Sequence, residues 1–183
     1  MIINARSSNF MFVFPKGFWS EKISQKWMPY IKRNPILPYD SLDTFMSSTI
    51  QSVTFPTINI EQVQQIRTLG KQQEYTSAKP VKDLITREMS VTFRLIDGNV
   101  NYLIFVDNLY EYLDFKSEML YQEDLMLRFL DQEGHIVSTS KYKGVYPKSV
   151  SEVSLSYSSN DPTFQTFSAS FGFFEQQFLI END

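Results

Sequence analysis

The amino-acid sequence predicts a mainly β protein of the α+β class, built as an antiparallel β-barrel or sandwich with one flanking helix. Three observations predict this class. Short runs of β-branched and aromatic residues alternate between apolar and polar, turn residues separate these runs, and one segment has a long helical apolar period. The 183 residues are 42% hydrophobic and 15% aromatic, which is enough for one sizeable core. We therefore expect a single domain over residues 1–183.

The first strand is predicted at residues 9–14, where aromatic and branched side chains end at a Pro-Lys-Gly turn. Residues 18–47 differ in character. Ser20 precedes a short helical pattern that reaches Ile31, and Pro29 is the first of three prolines that interrupt the path. We expect 18–47 to be a helical or irregular insertion near the N-terminus rather than part of a sheet.

Alternation returns at residues 49–55 and, after a bend at Pro56, at residues 58–63, which predicts two joined strands. Residues 64–86 are polar and lack a sustained apolar period, so they are predicted to form a long projecting loop or a loose hairpin. Residues 88–95 alternate cleanly, which predicts a strand with one dry and one wet face. The dry face carries Met89, Val91, Phe93 and Leu95, and the wet face carries Glu88, Ser90, Thr92 and Arg94.

A helix of roughly four turns is predicted after the Asp97-Gly98 turn, because apolar residues recur at three- and four-residue spacing. The side expected to pack on the sheet carries Tyr102, Leu103, Val106, Leu109, Tyr110 and Leu113. Downstream, residues 125–130 and 135–143 predict a hairpin, and two more strands are predicted at 150–157 and 163–174.

The sequence offers few residues for catalysis. It contains no Cys and a single histidine, His135, so cysteine nucleophiles, a His-based triad and a multi-histidine metal site are excluded by count. His135 follows Gly134 at a predicted turn, where a surface position is expected. The phosphate-binding patterns GxGxxG and GxxxxGK[ST] are missing. We therefore predict no enzyme activity, no catalytic residues, no cofactor and no metal.

Carboxylates do occur in pairs, at Asp83 and Glu88, at Glu123 and Asp124, and at Asp131 and Glu133. General acid–base catalysis needs a concave site with separated pKa values, which turns rarely supply, so solvated charge is the favoured interpretation. Several aromatic residues near the C-terminal end resemble a stacking platform for single-stranded nucleic acid, namely Phe164, Phe167, Phe171, Phe173 and Phe174. They lack interleaved Lys and Arg, so packing in a core or an interface is favoured.

The bulk properties narrow the class of partner. A formal net charge of -4 argues against tight binding of a polyanion, which normally needs a basic stripe. The N-terminal segment lacks the pattern of a signal peptide, and no stretch approaches eighteen apolar residues. We expect no membrane association and a location in the cytoplasm.

The most informative pattern lies in residues 143–171. Gly144, an apolar residue and the pair Tyr146-Pro147 lead into a strand that ends on Tyr157, and a Gln-Thr-Phe strand follows a polar turn. This pattern resembles the C-terminal part of the tail tube proteins of contractile-tailed bacteriophages and of related contractile injection systems. The matching residues are Gly144, Tyr146, Pro147, Val150, Leu155, Tyr157, Gln165, Thr166 and Phe167. The resemblance covers about residues 48–175 at low sequence identity, and the 18–47 insertion departs from it.

The resemblance implies a virion structural protein of the phage tail tube type. It implies hexameric rings whose sheets join into a continuous inner barrel, stacked into a tube that conducts DNA during ejection without binding it specifically. The implied partners are copies of the same chain, a tail sheath, a baseplate and a tape measure protein, in a virion tail assembled in the host cytoplasm. A tube-initiator or terminal ring protein of the same fold stays open, as does a monomeric β-barrel carrier of an apolar ligand. An enzyme with dispersed carboxylates is disfavoured by the missing nucleophile and base.

Two segments carry expectations of their own. By analogy, the 64–86 loop reaches the neighbouring ring, and the alternative is a flexible surface loop. The residues expected to make this inter-ring contact are Arg67, Lys71, Gln73, Lys79 and Lys82. In the insertion, Trp19, Trp27 and Tyr30 either decorate the outside and contact a sheath or pack on their own barrel.

Overall fold

Two four-stranded antiparallel sheets form the frame of the structure, a computed structural model that describes residues 8–15, 17–33, 39–57, 62–66, 72–76, 86–114, 124–153 and 165–180. In spatial order, sheet A consists of β1 (Phe10–Val13), β6 (Leu125–Leu130), β7 (Ile136–Lys143) and β10 (Glu175–Ile180). Sheet B consists of β2 (Ile50–Thr54), β5 (Glu88–Arg94), β9 (Thr166–Gly172) and β8 (Tyr146–Val150). A separate ladder pairs β3 (Gln62–Ile66) with β4 (Gln72–Thr76). The predicted fold class is confirmed.

Three helices accompany the sheets in the described part of the chain: α1 (Glu21–Ile31), α2 (Leu42–Ser48) and α3 (Val100–Leu113), with a 3-10 turn at Asp97–Asn99 before α3. Ser20 and Ser41 cap the first two helices, since each hydroxyl accepts a hydrogen bond of 3.2 Å from the backbone N–H three residues later. The helical insertion is therefore confirmed. Pro29 lies inside α1 instead of interrupting it, two residues before the helix ends. Its missing N–H removes one backbone hydrogen bond near that end.

Helix α3 covers the dry face of sheet B. The ring of Phe105 lies 4.7 Å from that of Phe93, 5.7 Å from that of Phe167 and 6.1 Å from that of Phe171. Close aromatic pairs of this kind contribute specific geometry beyond the area they bury. Met89, Val91 and Phe93 are fully buried, as their alternation predicts.

The side of α3 that faces the sheet differs from the predicted one. The buried residues are Val100, Asn101, Ile104, Phe105 and Asn108, whereas Leu103, Tyr110 and Leu113 are exposed. The physical reason is that both asparagines bind backbone carbonyls: Asn101 Nδ2 donates to Arg94 O and Asn108 Nδ2 donates to Phe18 O, each at 2.7 Å. Buried amides that find such partners occupy positions that a search for apolar residues assigns to solvent.

The C-terminal strands are also placed differently from the prediction. The strand expected at 150–157 ends at Val150, as β8, and residues 154–164 lie outside the described part of the chain. The segment 163–174, expected to be one strand, contains β9 and the corner that leads into β10. Phe173 is buried against Tyr142 in sheet A at 5.0 Å, so the chain leaves sheet B at this point and begins a strand that the sequence analysis missed.

The insertion is anchored to the rest of the chain by its tryptophans. Trp19 is buried and its ring lies 5.1 Å from Phe105, while Trp27 Nε1 donates to Asp107 Oδ2 on α3 at 2.7 Å. Of the two alternatives, packing on the protein's own core holds for these two residues. Tyr30 remains half exposed. None of the described helices has the length and apolar character required to cross a bilayer.

Candidate assembly surfaces

The wet face of sheet B is covered by small hydroxyl side chains. One row across the strands consists of Ser52, Thr92 and Ser168, and the next consists of Thr54, Ser90, Ser170 and Ser149. All of them are exposed or half-buried. Thr92 Oγ1 and Ser168 Oγ lie 3.2 Å apart, so these two neighbours in the first row also share a hydrogen bond. This face is smooth and polar, whereas the opposite face is sealed by α3.

Three charged side chains lie on this wet face among the described residues: Glu88, Lys148 and Arg94. Lys148 Nζ donates to Glu88 Oε2, and this hydrogen bond lowers the pKa of Glu88 and raises the pKa of Lys148. The pair is solvent-accessible, so its contribution to folding is small. Its effect is local, since the charges of Glu88 and Lys148 offset each other, and Arg94 adds one positive charge to the face.

One flank of the molecule is a groove between β1 and β2, the outermost described strands of sheets A and B on this side. It has a volume of about 550 Å³, with Phe10, Met11 and Phe12 along one side and Ile50 and Gln51 along the other. Helix α2 contributes Thr44, Ser47 and Ser48 to the lining, and the Ser47 hydroxyl donates to the carbonyl oxygen of Phe12 at 3.2 Å. The described lining is uncharged.

The opposite flank is formed by β8 and β10. The chain crosses from sheet A to sheet B at Gly144 and returns at Phe174, and the two corners touch: Phe174 N donates to Lys143 O at 2.9 Å. The rings of Tyr146 and Phe174 lie 5.9 Å apart. The outermost described strands of the two sheets on this flank, β8 and β10, are therefore held together where each strand begins.

Strand β10 leaves apolar side chains uncovered at this flank. Phe174, Phe178 and Ile180 are each about 70% exposed, at 68%, 69% and 76%. By register, Phe178 lies on the same face of sheet A as Ser140 and Leu127, which are buried. Reasoning from the sequence missed this surface, although the apolar run 178–180 after three polar residues was a usable signal.

The predicted projecting segment contains a hairpin. Strands β3 and β4 pair from Gln62 with Thr76 to Ile66 with Gln72, so the loose-hairpin alternative describes this part of it. Of the five residues expected at the inter-ring contact, Gln73 lies on β4 opposite Gln65. The other four, Arg67, Lys71, Lys79 and Lys82, lie outside the described residues.

The described residues of the C-terminal pattern shape the backbone or pack within the subunit itself. Gly144 has φ +63°, and a Cβ there would collide with the ring of Phe174. The ring of Tyr146 covers Gly172 in the same way. Pro147 is buried in β8, Gln165 O accepts from Leu95 N at 2.9 Å, and Phe167 stacks on Phe93 at 5.2 Å. Leu155 and Tyr157 lie outside the described residues.

The side chains that could have formed a catalytic or metal site stabilise a turn or lie at the surface. His135 is 69% exposed, as expected, and its Nδ1 lies 3.2 Å from Asp131 Oδ2. Asp131 Oδ1 accepts from the backbone N–H groups of Glu133 and His135, which lowers the pKa of Asp131. These three side chains bring potential ligand atoms within 4.8 Å, but both Asp131 oxygens already stabilise the turn. Asp124 binds Lys141 at 2.8 Å, and Asp83 and Glu123 lie outside the described residues.

Solved structures share this arrangement of elements. No protein-family model and no curated protein matches the sequence. A chain in the cryo-EM structure of the anti-feeding prophage cap, the tube terminating cap, matches with a TM-score of 0.55 and 9% identity, over 99% of this chain and 94% of that chain. A chain in the six-fold symmetrised baseplate of the same prophage matches with a TM-score of 0.54 and 12% identity, over 98% and 97%. This protein therefore has the fold of chains found in the cap and baseplate structures of the anti-feeding prophage.

Proposed function

We propose that this protein is a structural subunit of the tube of a contractile injection machine, whose copies close into hexameric rings around a bore. One observation carries the proposal: sheet B has one face sealed by α3, one face of small hydroxyls, and two edge strands on opposite flanks that have no outer partner strand among the described residues. An antiparallel sheet with one dry and one wet face suits the wall of a water-filled channel. In this proposal the whole chain, 1–183, acts as one tube-type domain.

The strand directions of sheet B support ring closure. Its four strands alternate in direction, so β2 and β8 run in opposite senses. If β8 of one copy lies beside β2 of the next, the antiparallel ladder continues unbroken from subunit to subunit. A head-to-tail contact of this kind closes a ring when the rotation fits, and closure leaves no free sheet edge.

The wet face of sheet B would then line the bore. Its hydroxyls are short, and the charges of Glu88 and Lys148 offset each other, so the described residues add only the one positive charge of Arg94 per subunit to the wall. DNA needs a basic stripe for tight binding, and this face has none among its described residues. The bore would let DNA slide past, with a tape measure protein occupying it before ejection.

The outer surface in this arrangement is the exposed side of α3 together with α1. Leu103, Tyr110 and Leu113 lie there, and a groove of about 510 Å³ runs between the two helices. Lys22, Lys26, Asp107, Glu111 and Asp114 give this groove both signs of charge. Apolar anchors with a charged rim are typical of a protein partner, so we assign this side to a sheath or baseplate protein in the assembled tail.

A terminal or initiator ring of the same fold is the second candidate. The matched chains come from a cap and a baseplate, and they cover this chain almost completely, including its insertion. Both candidates use the same ring. They differ in whether further rings stack on it through the hairpin.

Light scattering on purified protein, followed by negative-stain electron microscopy, tests the proposal. Hexameric rings or tubes are the expected result, with stacked tubes favouring the repeating subunit and single rings favouring a terminal one. A monomer that persists at high concentration would contradict both and favour a β-barrel carrier of an apolar ligand.

A further inference from the structure

We propose that β10 of one copy docks into the groove beside β1 of the next copy, so that the A sheets of neighbouring copies also contact each other around the ring. This inference rests on the proposed ring and adds a second contact outside the bore. The occupant of the groove is thus another copy of this chain. The complementary features of the two flanks carry the inference.

The projecting side is β10. Phe178 and Ile180 share the face of sheet A that is buried at Leu127, yet each is more than two-thirds exposed. Leu179, on the other face, is also 47% exposed. Among the described residues β10 has no partner on its outer side, and an edge strand with apolar residues on both faces favours pairing with another chain.

The receiving side is the groove along β1. Its volume of about 550 Å³ and the absence of charge among its described lining residues suit large apolar side chains. The Ser47 hydroxyl already occupies the Phe12 carbonyl, so little of the β1 edge is free for backbone pairing. The side chains of Phe178 and Ile180, rather than a long ladder, would therefore provide most of the contact.

The same head-to-tail arrangement of two copies allows both the β8–β2 contact and the β10–β1 contact. Sheet A, like sheet B, has four strands of alternating direction, so β10 of one copy and β1 of the next are antiparallel. The groove contains the β1 and β2 edges on one flank, and the touching corners join the β8 and β10 edges on the other. The head-to-tail contact that pairs β8 with β2 thus points β10 toward the groove.

Paired cysteines test the docking, since the chain has none of its own. The double variant Ser48→Cys with Ile180→Cys places one thiol on the groove rim and one at the end of β10. Treatment with a short bismaleimide should crosslink most of the assembled protein into a ladder that ends at the closed ring. Each single variant should stay uncrosslinked, because a head-to-tail contact separates identical positions.

A second pair of cysteines tests the proposed ring independently of the β10 docking. Ser52→Cys with Ser149→Cys spans the β2 and β8 edges of sheet B. A ladder from the second pair without one from the first would overturn the β10 docking and leave the ring intact. A ladder from the first pair alone would support the docking and overturn the sheet B ring, and no ladder from either would overturn both.

Discussion

The backbone N–H of Thr86 donates to the carbonyl oxygen of Thr57 at 2.9 Å, so the excursion between them leaves sheet B and returns to it at one point. This bond prolongs the β2–β5 ladder beyond the pairing of Thr54 with Ser90. The hairpin is therefore closed at its base, and removing it need not disturb the sheet.

Replacing residues 59–84 with a short Gly-Ser link should leave the subunit folded but unable to stack. The base bond between Thr57 and Thr86 remains in this variant. We expect a thermal unfolding midpoint within a few degrees of the parent and single rings by electron microscopy. Tubes of normal length would contradict the assignment of the hairpin to inter-ring contact.

Asp107 joins the insertion to α3, because its Oδ2 accepts from Trp27 Nε1 at 2.7 Å and from Lys26 Nζ at 2.6 Å. Asp107→Leu leaves the half-buried indole donor without this partner, and we expect a loss of about 1–3 kcal/mol in the free energy of unfolding by urea. Asp107→Asn keeps an oxygen acceptor and loses the exposed ion pair, so it should cost about 0–1 kcal/mol. Equal losses in the two variants would argue against the indole bond as the anchor.

Gly144 is needed for two reasons, a left-handed backbone and the ring of Phe174 above it. Gly17 is a matched control, since its φ is +75° but nothing lies within 4 Å of a Cβ placed there. Gly17→Ala should destabilise by about 1 kcal/mol from backbone strain alone. Gly144→Ala should cost clearly more in chemical denaturation, because the Phe174 ring must also move. Similar losses of stability at both positions would show that the Phe174 ring moves aside without measurable cost.

Glu88 should titrate below its ordinary pKa of 4.5, because Lys148 donates a hydrogen bond to its carboxylate. Its contribution to stability is present above pH 4.5 and is lost as pH falls through the lowered pKa. The contribution of Lys148 is present below its ordinary pKa of 10.5 and is lost as pH rises through the raised value. In Lys148→Met, carboxyl NMR should show the Glu88 pKa returning toward 4.5, whereas Lys143→Met, which removes an amine bound to Glu175, should not move it.

Phe178→Asp should weaken ring assembly by at least roughly tenfold, since it places a charge where an apolar side chain is expected to enter the groove. Gln177→Asp introduces the same charge one residue away, on the opposite face of β10. It should assemble like the parent in dilution series followed by light scattering. Matching behaviour of the two variants would remove the support for docking by this face.

Local patterns predicted those elements whose burial follows strict alternation or turn chemistry. The strand at 88–95, the hairpin built on 125–130 and 135–143, and the start of α1 after Ser20 appear within one or two residues of their expected bounds. In each case neighbouring residues alone decide the outcome, because the period of a half-buried strand and the hydroxyl of an N-cap act over a few positions.

The sequence by itself thus determined the β-rich class, the helical insertion and the dry and wet faces of β5. Only the tertiary structure decided which side of α3 is buried, since Asn101 and Asn108 can enter the core only where Arg94 O and Phe18 O meet them. The tertiary structure also decided which strands lie at the edges of the two sheets, because the pairing of β10 with β7 and of β2 with β5 joins segments distant in the chain. Long-range packing, which no local period encodes, brought the edges of two sheets together into the flanks on which the proposed ring depends.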